Sequence, residues 1–123
     1  MSTEPETDRS PRSGTVVLIA SDRLGSGSDD LGWVIMRVFV KTLHDVTPRP
    51  DAIILLNAGV KLATEGSELI GPLSELARDG SEVLACGTCL DYFELRDQLR
   101  VGRVTNMLEI VTKLSTADRV IRP

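Results

Sequence analysis

Two cysteines separated by two residues, Cys86 and Cys89, are the residues of this sequence whose type and spacing most clearly predict chemistry. Cys86 follows the apolar run Ser81–Ala85, so it should lie at the carboxyl end of a buried strand. Thr88 and Asp91 are spaced as an N-terminal capping box, which would place Cys89 in the first turn of a helix. Because unpaired N–H groups give a helix start a partial positive charge, we predict a lowered thiol pKa and a nucleophile near neutral pH.

Three other interpretations of the cysteine pair stay open. A structural zinc site needs four ligands, and the single histidine, His44, is far away in sequence, so zinc would have to be shared across a dimer. Thioredoxin-like redox chemistry is a second alternative, but Ala85 stands where tryptophan usually precedes the first cysteine, and no proline lies in a later strand pattern. The third is a pair of small buried hydrophobic residues.

The segments around the cysteines alternate between buried-strand and helix patterns. This alternation predicts an α/β fold with a mainly parallel sheet of about five strands and helices on both faces. The predicted strands are Thr15–Ala20, Asp51–Asn57, Ser81–Ala85, Gly102–Thr105 and an edge strand Arg119–Ile121. The predicted helices are Asp30–Asp45, a turn near Ser67–Ile70 leading to Pro72–Asp79, Thr88–Leu99, and a helix opened by Asn106 and Glu109. In the first helix, apolar residues recur at helical spacing: Leu31, Val34, Ile35 and Val38.

Chemistry in parallel sheets gathers beyond the carboxyl ends of the strands. That rule selects a set of candidate substrate-binding residues: Asn57, Gly59, Lys61, Gly87, Thr88, Thr105 and Asn106. Lys61 could steady a thiolate or an anionic substrate, whereas a solvated lysine is the simpler interpretation. The polar residues could equally cap backbone groups.

Composition limits the classes of function. The chain has 123 residues, a formal net charge of −4 and 3% aromatic residues, which argues against a nucleic-acid footprint. No apolar run is long enough to predict a membrane span.

Residues 1–14 resemble a disordered tail without a secretory signal, so we expect one domain over residues 15–123 and a cytoplasmic location with reduced thiols. The segment Gly25–Asp30 lacks the third glycine of a dinucleotide fingerprint and indicates a turn and helix cap.

An ordered series of segments resembles the C-terminal domain of the YedF selenium-metabolism proteins, which is part of the wider DsrE/DsrF-like group. The resemblance covers nearly everything from Val16 to the C-terminus. The matching segments are Val17–Asp22, Leu24-Gly25, Asp29–Gly32, Leu56–Leu62, Thr64–Ser67, Cys86–Asp91, Val104–Met107 and Val120–Pro123.

The resemblance implies a three-layer α/β/α fold, a homo-oligomer, and sulfur or selenium carried as a persulfide, by position on Cys86, with Cys89 as an additional thiol. YedF-type proteins usually bring a TusA-like carrier domain with a Cys-Pro motif. No Cys-Pro pair occurs here, so we expect a separate TusA-like donor or acceptor. We expect no cofactor and no metal. The alternative is an oligomeric, non-enzymatic binding or regulatory subunit with a redox-sensing thiol pair.

Overall fold

The computed structural model describes residues 13–123, which form five strands, four α-helices and two 3₁₀ helices. The strands are β1 (Thr15–Ile19), β2 (Ala52–Leu55), β3 (Glu82–Cys86), β4 (Arg103–Thr105) and β5 (Arg119–Ile121). The α-helices are α1 (Asp29–Leu43), α2 (Ile70–Arg78), α3 (Gly87–Tyr92) and α4 (Met107–Thr116). The 3₁₀ helices span Asn57–Ala63 and Arg96–Gln98. Within residues 13–123, no helix is long and apolar enough to cross a membrane.

All five strands lie parallel in one sheet of order β4-β3-β2-β1-β5. The three central strands are continuous apolar runs, and residues in register across them, such as Val17, Ile53 and Val83, are almost completely buried. A parallel sheet needs such runs because helices cover both of its faces. The predicted α/β fold with a five-stranded parallel sheet is confirmed.

The direction of the crossovers assigns the helices to the two faces. From β1 to β4 the chain moves steadily toward one edge, so right-handed connections place α1, α2 and α3 on the same face. The return from β4 to β5 then places α4 on the other face, and Lys113 of α4 accordingly binds Glu82 of β3 at 2.7 Å. The result is a three-layer α/β/α arrangement.

Helix α1 buries a different face from the one its most regular apolar repeat suggests. The buried residues are Gly32, Met36, Val40 and Leu43, whereas the repeat is exposed at Leu31, Val34, Ile35 and Val38. Apolar side chains therefore lie on nearly all sides of α1, which is unusual for a helix with one face toward water. We call the four exposed residues the α1 stripe.

Several predicted boundaries shift. A 3₁₀ helix spans Asn57–Ala63, where the sequence predicts the last residue of a strand and then a loop, and α2 begins at Ile70, so that Pro72 falls inside its first turn. Helix α3, predicted to reach Leu99, ends at Tyr92 because Glu94 adopts a left-handed conformation with a φ of 59°. The N–H of Leu95 then bonds the carbonyl of Leu90 at 2.7 Å, which is the Schellman closure.

The predicted tail, residues 1–14, lies mostly outside the described residues. Its last two residues belong to the domain: the backbone N–H groups of Ser13 and Gly14 each donate to a carboxylate oxygen of Asp51, both at 3.0 Å. The carbonyl of Gly14 also accepts hydrogen bonds from Asp118 and Arg119, ahead of and within β5. These contacts fix the starts of β1, β2 and β5 relative to one another.

Candidate functional site

The residues of the predicted site follow three neighbouring strands and lie at one edge of the sheet. Because the sheet order places β3 between β4 and β2, their carboxyl ends lie side by side. Cys86, the last residue of β3, is in register with Thr105, the last residue of β4. Asn57 comes two residues after the end of β2 at Leu55. The structure therefore brings together residues that are up to 48 positions apart in the sequence, as the strand-end rule predicts.

The two cysteines are both free thiols, and they differ in exposure. Cys86 is 3% exposed and is the residue that precedes the first turn of α3, while Cys89 is partly exposed on that turn. Their side chains are close enough to share a hydrogen bond. Cys89 is therefore the more accessible of the two residues.

The predicted capping box at this helix is wrong. Strand β3 runs directly into α3 without a turn, so the helix begins at Gly87, with Cys86 as cap, and no side chain accepts a capping hydrogen bond. Asp91 instead binds Arg96 through two oxygens, at 2.7 and 3.0 Å, and Thr88 lies exposed in the first turn. The ion pair joins the end of α3 to the segment that follows it.

The backbone N–H of Asn57 donates to the Cys89 sulfur at 3.1 Å. Asn57 reaches this position with a φ of 50°, a left-handed conformation that asparagine tolerates better than most residues. The turn from β2 into the 3₁₀ helix thus supplies the one backbone donor that reaches a thiol within residues 13–123.

The predicted lowering of the pKa of Cys89 is also wrong. Burial raises the pKa of the Cys89 thiol above its ordinary value, and the hydrogen bond with Cys86 raises it further. The Asn57 N–H acts in the opposite direction but is the smaller effect. Helix α3 has only six residues, so its dipole is weak, and burial has the larger effect on the pKa of Cys89. The Cys89 thiol is therefore protonated near neutral pH.

Two glycines permit the close packing at this edge. A Cβ on Gly59 would overlap the carbonyl oxygen of Ile19, so this residue lets the 3₁₀ helix lie against the end of β1. A Cβ on Gly87 would lie 3.0 Å from Cγ1 of Val104 and 3.3 Å from the carbonyl oxygen of Thr105. Gly59 and Gly87, both predicted as substrate-binding residues, have these packing roles in the structure.

Thr105 and Asn106 bind within the fold. The hydroxyl of Thr105 donates to the Glu109 carboxylate, and Oδ1 of Asn106 accepts from the Glu109 N–H at 2.9 Å, which caps α4 as the sequence predicts. Arg103 completes the cluster with a 2.6 Å contact to Glu109, and chiefly this arginine lowers the pKa of Glu109 to about 2. A role for Thr105 and Asn106 in substrate binding stays a prediction.

Lys61 contacts an aromatic ring. Its Nζ lies 4.5 Å from the ring centroid of Phe93, a cation–π contact at the end of α3. The sequence does not predict Phe93 as a site residue, because the aromatic residues are few and scattered. Its position four residues after Cys89 was the available signal, since that spacing places both on the same side of a helix.

His44 lies apart from this edge. It caps the C-terminal end of α1, and its Nε2 lies 3.2 Å from Asp79 at the end of α2. Helices that follow parallel strands end at the opposite edge of the sheet from the thiols, so His44 cannot join the cysteines around one ion within a single chain. Across residues 13–123, no group of three or more potential ligands is placed to hold a metal.

Two solved structures resemble this fold across nearly the whole chain. One is a protein of unknown function, MTH1491, from Methanobacterium thermoautotrophicum, with a TM-score of 0.67 and 24% identity over 89% of this chain and 97% of that one. The other is the YchN protein from E. coli, with a TM-score of 0.67 and 16% identity over 89% of this chain and 98% of that one. At these identities the similarity concerns the fold.

Sequence comparison agrees with the fold. No curated protein shows significant sequence similarity to the chain. The sequence model of the DsrE/DsrF-like family matches residues 35–123, a range that runs from the middle of α1 to the C-terminus and includes both cysteines. The chain therefore belongs to the DsrE/DsrF-like family.

Proposed function

We propose that this protein carries sulfane sulfur, or selenium in its place, as a persulfide on the Cys86/Cys89 pair. The observation that carries the proposal is the placement of two interacting free thiols at the β3–α3 junction, with the Asn57 N–H on the outer sulfur. The family, which is associated with sulfur relay, supports the same chemistry, and the YedF-type resemblance of the sequence is the reason for including selenium.

The exposure of the two sulfurs favours Cys89 as the entry point, whereas the resemblance implies Cys86. We assign entry to Cys89 because Cys86 is 3% exposed. After Cys89 loses its proton, its thiolate attacks the outer sulfur of a donor persulfide. The donor leaves as a thiolate, and Cys89 holds the persulfide. No net oxidation occurs in this step.

Release can follow two balanced routes. An acceptor thiolate can attack the outer sulfur, which regenerates the Cys89 thiolate. Alternatively Cys86 attacks the inner sulfur, hydrogen sulfide leaves, and a Cys86–Cys89 disulfide forms, so that two thiols are oxidised as the sulfane atom is reduced to sulfide. A dithiol reductant must then restore the pair. We propose a TusA-like carrier as the protein donor or acceptor.

Intact mass spectrometry of the reduced full chain, treated with glutathione persulfide and desalted, tests the proposal. We expect wild type to gain one sulfur and then convert to the disulfide, Cys86→Ser to keep the adduct, and Cys89→Ser to lose most of it. An adduct retained in Cys89→Ser and lost in Cys86→Ser would move the persulfide to Cys86. An adduct that persists in the double serine variant, or none in wild type, would refute persulfide carriage by this pair.

A second function has its own support in the close placement of the two free thiols. Two free thiols this close together suit a redox-sensing module as well as a carrier, and such a module would bind a partner differently in its dithiol and disulfide forms. The discriminating result is the fate of sulfur: a sensor forms the disulfide with peroxide but takes no sulfur from glutathione persulfide. Full activity of the double serine variant in cells would exclude both thiol-dependent functions.

We also infer a homo-oligomer, which the resemblance implies. The α1 stripe supports this inference because four apolar side chains at helical spacing are exposed on a helix that already buries another face. A second copy of the chain is the occupant that we assign to it. Light scattering after gel filtration should give a multiple of 13.4 kDa for wild type and a smaller species for Leu31→Ser/Val38→Ser. A monomeric wild type would contradict the inference.

A further inference from the structure

A cavity of about 590 Å³ opens between α1, the first 3₁₀ helix and the end of α3. Its apolar walls come from Trp33, Leu62, Leu69, Phe93 and Leu95. Leu62 and Leu69 are each 1% exposed, so this part of the wall is firmly packed into the core. The volume falls within the usual range for sites that bind small molecules, which are mostly apolar with a few polar groups.

The charged groups around the cavity leave one cation unneutralised. Glu68 binds Arg37 at 2.7 Å, and Glu65 binds Arg100 at 2.7 Å, so each carboxylate is already paired with a guanidinium. Lys61, in contrast, has no carboxylate within salt-bridge distance among residues 13–123 and lies against the face of Phe93. The cavity therefore combines apolar and aromatic walls with one available positive charge.

We propose that this cavity binds a small organic anion with a flat apolar body and a single negative group. The anionic group would meet the Lys61 ammonium, and the body would lie among Trp33, Phe93 and the leucines. A polyphosphate would not suit the cavity, because only one cation is available to neutralise it. The proposal goes beyond sulfur carriage and does not depend on it.

The cavity and the thiols share supporting elements without sharing lining residues. Phe93 follows Cys89 by one helical turn, and Lys61 follows Asn57 by four residues in the 3₁₀ helix. Neither cysteine lines the cavity. Ligand binding should therefore persist when both cysteines are replaced by serine, which separates this proposal from the persulfide chemistry.

The single tryptophan of the chain makes the test direct, because Trp33 lines the cavity. The probe is 1-anilinonaphthalene-8-sulfonate, a flat aromatic sulfonate that accepts excitation energy from a nearby indole. Full-length protein is titrated with this probe while energy transfer from Trp33 is recorded. We expect saturable binding at one site in wild type and in Cys86→Ser/Cys89→Ser.

Charge variants then locate the anionic group. Lys61→Met should weaken binding roughly fivefold or more, since a lost charge contact of about 1 kcal/mol has that effect. Lys61→Arg should restore most of the affinity, and Lys41→Met, a matched change at an exposed lysine of α1, should leave it within twofold, an allowance of about 0.4 kcal/mol. If Lys61→Met and wild type have equal thermal midpoints of unfolding, the weaker binding of the variant comes from the lost charge and not from a change in the fold.

Three outcomes would overturn the proposal. The first is unchanged binding in Lys61→Met, and the second is equal weakening in Lys41→Met. The third is loss of binding in Val34→Ser/Val38→Ser, which would place the probe on the α1 stripe. Phe93→Leu keeps an apolar wall but removes the ring, so weaker binding in this variant would support the aromatic contact.

Discussion

The backbone N–H of Asn57 lies 3.1 Å from the sulfur of Cys89, although the two residues follow different strands. The contact exists because β2 and β3 are neighbours and because Asn57 turns into a left-handed conformation at the end of β2. A change in this turn should therefore alter both the stability of the fold and the reactivity of a thiol on another element.

Substitution of Asn57 tests that relationship. Glycine adopts a φ of 50° without strain, so Asn57→Gly should keep the turn, the N–H contact and nearly wild-type stability. Asn57→Ala should cost about 1 kcal/mol in the free energy of unfolding, because Cβ strains the left-handed conformation. Urea unfolding and the rate of Cys89 alkylation measure the two effects. Equal values for the glycine and alanine variants would show that the conformation is not what positions the sulfur.

The raised pKa of Cys89 predicts a distinct pH dependence. Alkylation by iodoacetamide, followed by peptide mass spectrometry, should show a midpoint above 9.0, the ordinary value, because burial favours the protonated thiol. Cys86→Ala should lower this midpoint, since the neighbouring thiol also raises the pKa of Cys89. A wild-type midpoint below 9.0 would instead indicate that the start of α3 stabilises the thiolate after all.

The sequence predicts the sheet well because each strand can be recognised from its own few residues. Short β-branched runs such as Thr15–Ile19 and Ala52–Leu55 identify buried parallel strands, and the strand-end rule then gathers Cys86, Asn57 and Thr105 at one edge. What it cannot predict depends on contacts between elements. The raised pKa of Cys89 follows from burial under a neighbouring segment, which no spacing of residues reveals.

Two other errors have the same origin. The apolar repeat of α1 is genuine, but which side of that helix meets the sheet depends on packing, and Gly32 and Met36 face inward instead. The sequence does not predict the end of α3, because glycine or asparagine normally marks a left-handed residue at a helix end, and here Glu94 adopts that conformation. The cavity beside Lys61 is likewise not predicted, because it forms only where three separate elements pack together.

Gly59 and Gly71 form a matched pair for testing the packing at the thiol edge. Gly59→Ala should destabilise the protein by about 1–3 kcal/mol, because its Cβ overlaps the Ile19 carbonyl and the backbone must move. Gly71→Ala, in the first turn of α2 with open space around it apart from its chain neighbours, should change the stability by less than about 1 kcal/mol, because the gain in helix propensity is opposed by crowding of the new Cβ against Pro72. Urea midpoints measure both changes. Similar losses in the two variants would mean that a general cost of replacing glycine, and not this close approach, explains the result.

Glu109 should make the stability of the protein depend on acid pH. Chiefly its bond with Arg103, and then its bond with Thr105, lower its pKa from 4.5 to about 2, so the folded state binds fewer protons there than the unfolded chain. The stabilisation that Glu109 provides is thus complete above its ordinary pKa and is lost as pH falls through that interval.

The measurement is the difference in unfolding free energy between wild type and Glu109→Gln across this range of pH. The difference should be largest near neutral pH and should shrink toward about 2. Glu109→Gln leaves the contact between Glu82 and Lys113 intact, and this contact is the main cause of the lowered pKa of Glu82. Arg103→Gln should move the loss to higher pH, toward the ordinary value of 4.5, because the main cause of the lowered pKa is gone. A difference that stays constant from neutral pH down to about 2 would show that Glu109 contributes nothing through its charge.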